Sequence, residues 1–310
     1  MTLDEVVVSE AAADVELVAG AEPVPRSQWQ LFRRRFVRHR LAVISLGLLV
    51  IIAIACFGAT WIAPYDITKL DITKLGTARG PSLKHLMGTD DLGHDQLSVI
   101  LHAGKISLQI ALSVAVLSTL IGVTIGALAG FYGRILDRIL SAVTDGFLVV
   151  PQLAVLAVAI KYFGHGTTVI IVVLSFTFWT YIARVTRGQV LSYKEKEFVE
   201  AARAAGASGP RIIVRHIIPN MVGPIMVNLT LSIAAAIVTE STLTFLGFGI
   251  VPPQTSWGLM LSDNEGAVND TSKIHLLLFP GMMLLLVVLC VNFLGDGLRD
   301  AFDPQAKHNA

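Results

Sequence analysis

The run LAVISLGLLVIIAIACFGATWIA, residues 41–63, contains no charged side chain. A helix needs roughly 20 mostly apolar residues to cross about 30 Å of hydrocarbon, so this run predicts a membrane-spanning helix. Working outward, five more runs have the same character: 106–130, 140–163, 167–186, 222–246 and 276–294. The third contains Pro151, which removes a backbone donor and predicts a kink. The whole chain agrees: 54% of its residues are hydrophobic and only 15% charged. A soluble domain carries nearer a quarter charged. The fold class is therefore all-α and integral to a membrane, with six spans.

Where Lys and Arg fall sets the orientation. Six spans put both termini on one side. Of the 24 Lys and Arg, 17 lie on that side and 7 on the other, which predicts cytoplasmic termini. The net charge of +1 comes with no basic patch interleaved with aromatics, so nothing points to nucleic acid. Cys56 and Cys290 both lie inside apolar runs without metal-ligand spacing and read as buried thiols.

Residues 1–26 hold six acids (Asp4, Glu5, Glu10, Asp14, Glu16, Glu22) and a single base, Arg26. This lacks the basic start of a secretory signal and reads as a disordered acidic tail. In 27–40, Trp29, Phe32, Phe36 and Val37 recur at helical spacing among arginines. That pattern predicts an amphipathic helix on the cytoplasmic leaflet, its arginines near anionic headgroups.

Two loops are too long to be plain connectors. The outer one, 64–105, carries a tandem repeat, DITKL at 66–70 and again at 71–75, and then GTDDLGHD at 88–95. Gly88 and Gly93 suit tight turns. Asp90, Asp91, Asp95 and His94 have no shared helix face, so capping of turns and helix starts is favoured over cation binding. The inner loop, 188–221, contains KEKEFVEAARAA, residues 194–205, rich in strong helix formers. Gly206 is placed to close that helix, and Arg211 to Ile218 reads as a second short helix broken at Pro219. A small-residue helix protruding from a membrane suits a groove on another protein, the alternative being a plain surface helix.

Polar residues inside the spans need partners or water. For Glu240, wall of a translocation path and interhelical hydrogen bonding are both open; for Asn228 and Asn292 packing is favoured. No nucleophile–base constellation and no phosphate-binding loop is present, so the chain carries no enzymatic signature and no ATPase motif.

Glu200-Ala201-Ala202 with Gly206, followed by Arg215 and Pro219, resembles the EAA loop of membrane subunits of bacterial ABC importers. The segment Gly88-Thr89-Asp90 to Gly93-His94-Asp95 resembles the outer-loop GTDxLGRD of the dipeptide/oligopeptide/nickel branch, with His94 where that pattern has Arg. TFLGFG at 244–249, Pro252-Pro253 and Trp257-Gly258 resemble that branch's segment after the fifth span. The resemblance covers about residues 30–305 and points to the second of the branch's two permeases. It implies a type I importer fold, with a permease core over 106–300 and a cytoplasmic tail over 301–310. It implies a coupling helix in which Glu197, Glu200, Ala201, Ala202 and Gly206 dock on an ATPase. The implied partners are a second permease, ATPase subunits that hold ATP and Mg, and an extracytoplasmic binding protein, all at a bacterial inner membrane. No cofactor or metal belongs to this chain. The implied cargo is a peptide, with nickel or another small solute as the alternative. An ion-driven secondary transporter would need duplicated halves, which the sequence lacks.

Overall fold

A computed structural model describes residues 28–67 and 78–302. The acidic tail, the greater part of the tandem repeat and residues 303–310 lie outside the described residues. Helix α1 (Gln28–Arg38) leads into α2 (Arg40–Phe57), with the one-turn α3 (Ala59–Ile62) continuing it. His39 makes the junction: its ring accepts a hydrogen bond from the Ala42 amide (3.2 Å). The outer loop follows, and then α4 (Gln96–Tyr132), α5 (Arg134–Val149), α6 (Gln152–Phe163) and α7 (Thr167–Tyr193). The inner loop holds α8 (Glu197–Ala204), α9 (Gly209–Ile212), a π turn (Ile213–Ile217) and α10 (Ile218–Asn220). Helix α11 (Val222–Phe245), α12 (Trp257–Asp263) and α13 (His275–Phe302) complete the chain.

Among the described residues, five helices, α2, α4, α7, α11 and α13, are long and apolar enough to cross a membrane. The pair α5–α6 makes a sixth if taken as one span, bent by 83°. The chain is thus a multi-pass membrane protein. The expected kink at Pro151 is a full break. Proline cannot donate to the helical ladder, and it pushes the residue before it out of the helical region. Val150 accordingly adopts φ −75°, ψ 123°, and Pro151 φ −64°, ψ 121°.

Other boundaries differ from hydropathy for identifiable reasons. Helix α4 starts at Gln96, not near Ile106, so the outer loop is shorter than 64–105 and the helical core begins before 106. Asp95 caps it, accepting from the Ser98 amide (2.9 Å) and hydroxyl (2.8 Å). Its first turns carry Gln96, Ser98 and Ser107, all buried, so tertiary packing holds polar residues that hydropathy counts against a span. Its 37 residues reach about 55 Å, well beyond the hydrocarbon thickness. Helix α7 runs on to Tyr193 and α13 to Phe302, carrying Arg187 and Asp296 on continuous helical turns past the apolar stretches.

Helices α4 and α7 form the tightest seam. Gly122, Gly126 and Gly130 recur every fourth residue on α4 and let the α7 backbone approach. A Cβ at 122 would lie 2.7 Å from both the Trp179 carbonyl and Ile182 Cβ. The main core cluster includes Ile52, Cys56, Ile100, Ile237 and Val287 together with Trp257, which is fully buried and whose indole N–H donates to the Ile100 carbonyl (3.0 Å). Cys56 and Cys290 are buried free thiols.

Candidate functional site

The inner loop is a small folded unit. Glu197 and Glu200 occupy the first turn of α8 and Arg203 its last, each sign matched to the helix dipole. The helix starts at Glu197 rather than Lys194, since Lys194 to Lys196 form a turn with Lys196 in extended conformation. Its end is a Schellman closure: the Ala207 amide donates to the Ala202 carbonyl and the Gly206 amide to the Arg203 carbonyl, both at 3.0 Å. Gly206 sits at φ +78°, as its expected role requires, and a Cβ there would meet nothing within 4 Å.

The underside of α8 is anchored and its outer side is bare. Val199 is fully buried against Ala127, Val190, Ile212, Ile213 and Ile217. The Arg203 guanidinium stands 5.9 Å from the Phe131 ring, a cation–π contact back to α4. Glu197, Phe198, Glu200, Ala201 and Gly206 are exposed, whereas Ala202 turns partly inward. Arg215 and Pro219 are also exposed. Pro219 does not break the chain's helical path. A π turn precedes it, in which the Ile218 amide reaches back to the Ile213 carbonyl, and the wider turn accommodates the proline before α11 begins.

The outer loop is pinned by its own acids. Asp90 accepts from the Leu92 (2.9 Å) and His94 (2.7 Å) amides and its other oxygen lies 2.9 Å from His94 Nδ1. Asp95, besides capping α4, lies 2.9 Å from His85 Nδ1. Gly88 and Gly93 have φ of +84° and +83°. The Thr89 side chain is buried, and its carbonyl lies 3.3 Å from His275 Nε2. Asp91 faces Lys273, whose ammonium donates to both its oxygens at 2.8 Å. That hydrogen bond, the largest influence, holds the Asp91 carboxyl below the usual range, and raises the Lys273 ammonium in turn. The segment therefore ties the start of α4 to the start of α13.

Glu240 is fully buried between α4 and α11. Thr244 donates to it at 2.9 Å, and Ser107 and Ser241 at 3.3 Å each. The Ile250 amide in turn donates to the Thr244 hydroxyl and the Trp257 amide to the Ser107 hydroxyl, both at 3.2 Å. One carboxyl thus fastens the segment after α11 onto two spans by hydrogen bonds. Asn228 spends its amide on the Pro224 carbonyl (2.8 Å) and lines a cavity of ≈ 540 Å³ with Gln189, Tyr193, Asn220, Arg299 and Phe302. Asp145 pairs with Arg184 of α7 (2.6 Å), and Asp137 with Arg187, where the second contact is 2.8 Å. The sequence reading missed the glycine repeat, although its four-residue spacing is legible. It also missed the hydroxyls around Glu240, of which only Ser241 and Thr244 are near it in sequence.

These features define a class before they define a family. Two solved inward-facing forms of the MetNI methionine ABC transporter share the fold, with TM-scores of 0.56 and 0.54 at 19% identity. They cover 66% and 64% of this chain and 96% and 93% of theirs. The architecture is that of a type I ABC importer permease. Residues 122–308 match the family described as binding-protein-dependent transport system inner membrane component, and 27–78 match the N-terminal TM domain of oligopeptide transport permease C. The oligopeptide transport system permease protein OppC of Escherichia coli K12 is 39% identical over 91% of this chain and 93% of its own length. OppC of Mycobacterium bovis is 38% identical (91% and 96%), and the glutathione transport permease GsiD of Escherichia coli O6:K15:H31 is 36% identical (91% and 92%). The chain belongs to the OppC-like permeases of binding-protein-dependent ABC importers.

Proposed function

We propose that this chain is one of two permease subunits of an ATP-driven peptide importer in a bacterial inner membrane, with both termini cytoplasmic. The observation that carries the reading is α8: a short helix fixed through Val199 and Arg203, with Glu197, Phe198, Glu200 and Ala201 left bare. Such a rigid, outward-facing helix suits a groove on a cytoplasmic ATPase, and Gly206 lets the partner surface come close. Closure of a pair of ATPases around ATP and Mg then moves α8, and its anchors on α4 and α7 pass the motion to the spans. The chain itself neither binds ATP nor performs chemistry. The pinned outer loop faces an extracytoplasmic binding protein that delivers the cargo. The Asn228 cavity, between the inner ends of α7 and α11, forms part of the path. Relatives named for oligopeptides and glutathione support a peptide cargo over the nickel alternative.

The test uses the whole complex. Glu200→Lys and Gly206→Asp are expected to leave the chain inserted while ATP hydrolysis no longer drives uptake. Gly206→Asn serves as the control, since Asn tolerates positive φ and adds no charge. Unchanged uptake in both charged variants overturns the assignment of α8. A tag at either terminus is expected to be reached only from the cytoplasm, and labelling of intact cells from outside overturns the orientation.

A further inference from the structure

Helix α1 is placed where a surface charge could reach the coupling unit. Five arginines, 33, 34, 35, 38 and 40, fall within eight positions immediately before the span α2. Arg33, Arg34 and Arg38 are exposed on one side of α1 together with Val37, and Arg40 and Leu41 continue that side into α2. Apolar Val37 and Leu41 among these guanidinium groups match the boundary between acyl chains and headgroups. On the proposed orientation, the arginines stand at the cytoplasmic leaflet, whose anionic lipids attract basic residues within a Debye length.

The other side of α1 is bound to the protein. The Phe32 and Phe36 rings stack at 5.9 Å, and Phe32 lies 4.4 Å from Phe302, in the last turn of α13. His39 Nε2 lies 3.7 Å from Asp300. Phe302 rests on Gly223, where even a Cβ would come within 2.7 Å of it. Phe302 and Arg299 line the same cavity as Pro219 and Asn220, near the end of the inner loop. One unbroken series of contacts therefore runs from the arginine face to the hinge where the coupling loop becomes α11.

We infer that α1 is a binding surface for anionic phospholipid headgroups, and that its occupancy sets how tightly ATP hydrolysis is coupled to transport, acting through Phe302 on the Gly223 end of α11. Guanidinium groups pair with phosphodiester oxygens by charge-assisted hydrogen bonds, and the arginines' spacing on one helical side permits several headgroups at once. The transmission part rests on the proposed role of the inner loop, whereas the lipid contact does not.

The test compares the assembled complex in nanodiscs of phosphatidylcholine with and without phosphatidylglycerol. A fluorophore at Val37→Cys is read against headgroup-labelled, quenching phosphatidylglycerol, and ATP hydrolysed per substrate imported is read in matched proteoliposomes. We expect preferential quenching by the anionic lipid and a lower ATP cost per import in its presence. Each arginine near an anionic surface is worth about fivefold in affinity (about 1 kcal/mol). The variant R33Q/R34Q/R38Q is therefore expected to lose about a hundredfold in apparent lipid affinity, and the lipid effect on coupling with it. Phe302→Ala is expected to keep the quenching and lose the coupling effect. Wild-type quenching in the triple variant, or a wild-type chain indifferent to lipid charge, overturns the proposal. Loss of complex assembly in the triple variant without preferential quenching in the wild type assigns the arginines to an acidic protein partner and equally overturns it. Lipid dependence that persists in Phe302→Ala overturns the transmission route. Failure of ATP-driven uptake in every lipid would instead count against the permease reading, with the quenching measurement still deciding the lipid contact.

Discussion

The α4–α7 seam permits a prediction whose sign reverses between two chemically identical substitutions. Gly122 faces α7 so closely that the Cβ of Gly122→Ala would sit 2.7 Å from the Trp179 carbonyl. Ordinary contact begins near 3.4 Å, so the helices must part by about 0.7 Å, and the nearest obstacle is backbone, which cannot swing aside. Overpacking of this kind costs about 1–3 kcal/mol, against which the better helix propensity of Ala returns up to about 1 kcal/mol. The net expectation is a loss of about 1–2 kcal/mol, a fall of a few degrees in melting temperature for a chain of this size. Gly188 lies on the facing helix, exposed, with nothing within 4 Å of its notional Cβ. Gly188→Ala has only the propensity gain of about 0.5–1 kcal/mol and is expected to raise the melting temperature. Thermal unfolding of the purified complex in one detergent, followed by near-ultraviolet circular dichroism, measures both. If Gly122→Ala melts at or above wild type, or the two variants shift in the same direction, close backbone approach is not what this seam depends on.

Glu240→Gln keeps one acceptor oxygen and puts in place of the other an NH2 that can donate to a hydroxyl oxygen, so it is expected to stay nearer wild-type stability, whereas Glu240→Leu leaves the three buried hydroxyls of Thr244, Ser107 and Ser241 without a polar partner there, at about 1–3 kcal/mol for each left unpaired; equal melting temperatures for the two variants would refute the hub. Val199→Ala is expected to cost about 1–2 kcal/mol and to increase proteolysis within the inner loop before any other segment, because Val199 is the fully buried anchor of α8; unchanged cleavage kinetics would refute the anchoring. The Asp91–Lys273 pair gives a pH dependence of defined sign. Asp91 is depressed, so its contribution is present above the unfolded carboxylate pKa and disappears as pH falls through the lower folded value; Lys273 is raised, so its contribution is present below the unfolded lysine pKa and is lost as pH rises through the higher folded one. The melting-temperature difference between wild type and Lys273→Gln is therefore expected to be small but present across neutral pH, and to vanish in strong acid; a difference that persists below the carboxylate range would refute the ion pair.

The spans were legible because the bilayer imposes a length and a composition that few other structures share. Legibility ended where a helix continued for reasons outside its own hydropathy. The first turns of α4 are polar in sequence, and they are helical because Asp95 caps them through Ser98 and because Gln96 and Ser107 meet partners more than a hundred residues away in the chain. At Pro151 local rules gave the place of the bend, but its size follows from where α5 and α6 find partners. Asp137 and Asp145 reach Arg187 and Arg184 of α7, and Gln152 reaches Thr177 on the same helix, so α5 and α6 both pack on α7 with 83° between them. Pro219 is the converse case, a helix breaker by local rules that is absorbed by one π turn because Ile213 and Ile217 on either side are already buried.

The local shape of the inner loop was readable at several single residues because each of them does something local. Gly206 is required by its positive φ and Glu197 and Glu200 by the helix start, whereas Val199, the buried residue of α8, was not singled out by the sequence because one valine among exposed neighbours makes no pattern. What no single position announces is that the loop is braced from two sides. Arg203 ties α8 to Phe131 at the end of α4, while Pro219 and Asn220 share a cavity wall with Phe302 at the end of α13. On the coupling role proposed above, a force applied at α8 cannot be taken up by the loop alone. It must move the inner ends of α4, α7 and α13 together, and the glycine seam between α4 and α7 makes those two a single rigid lever.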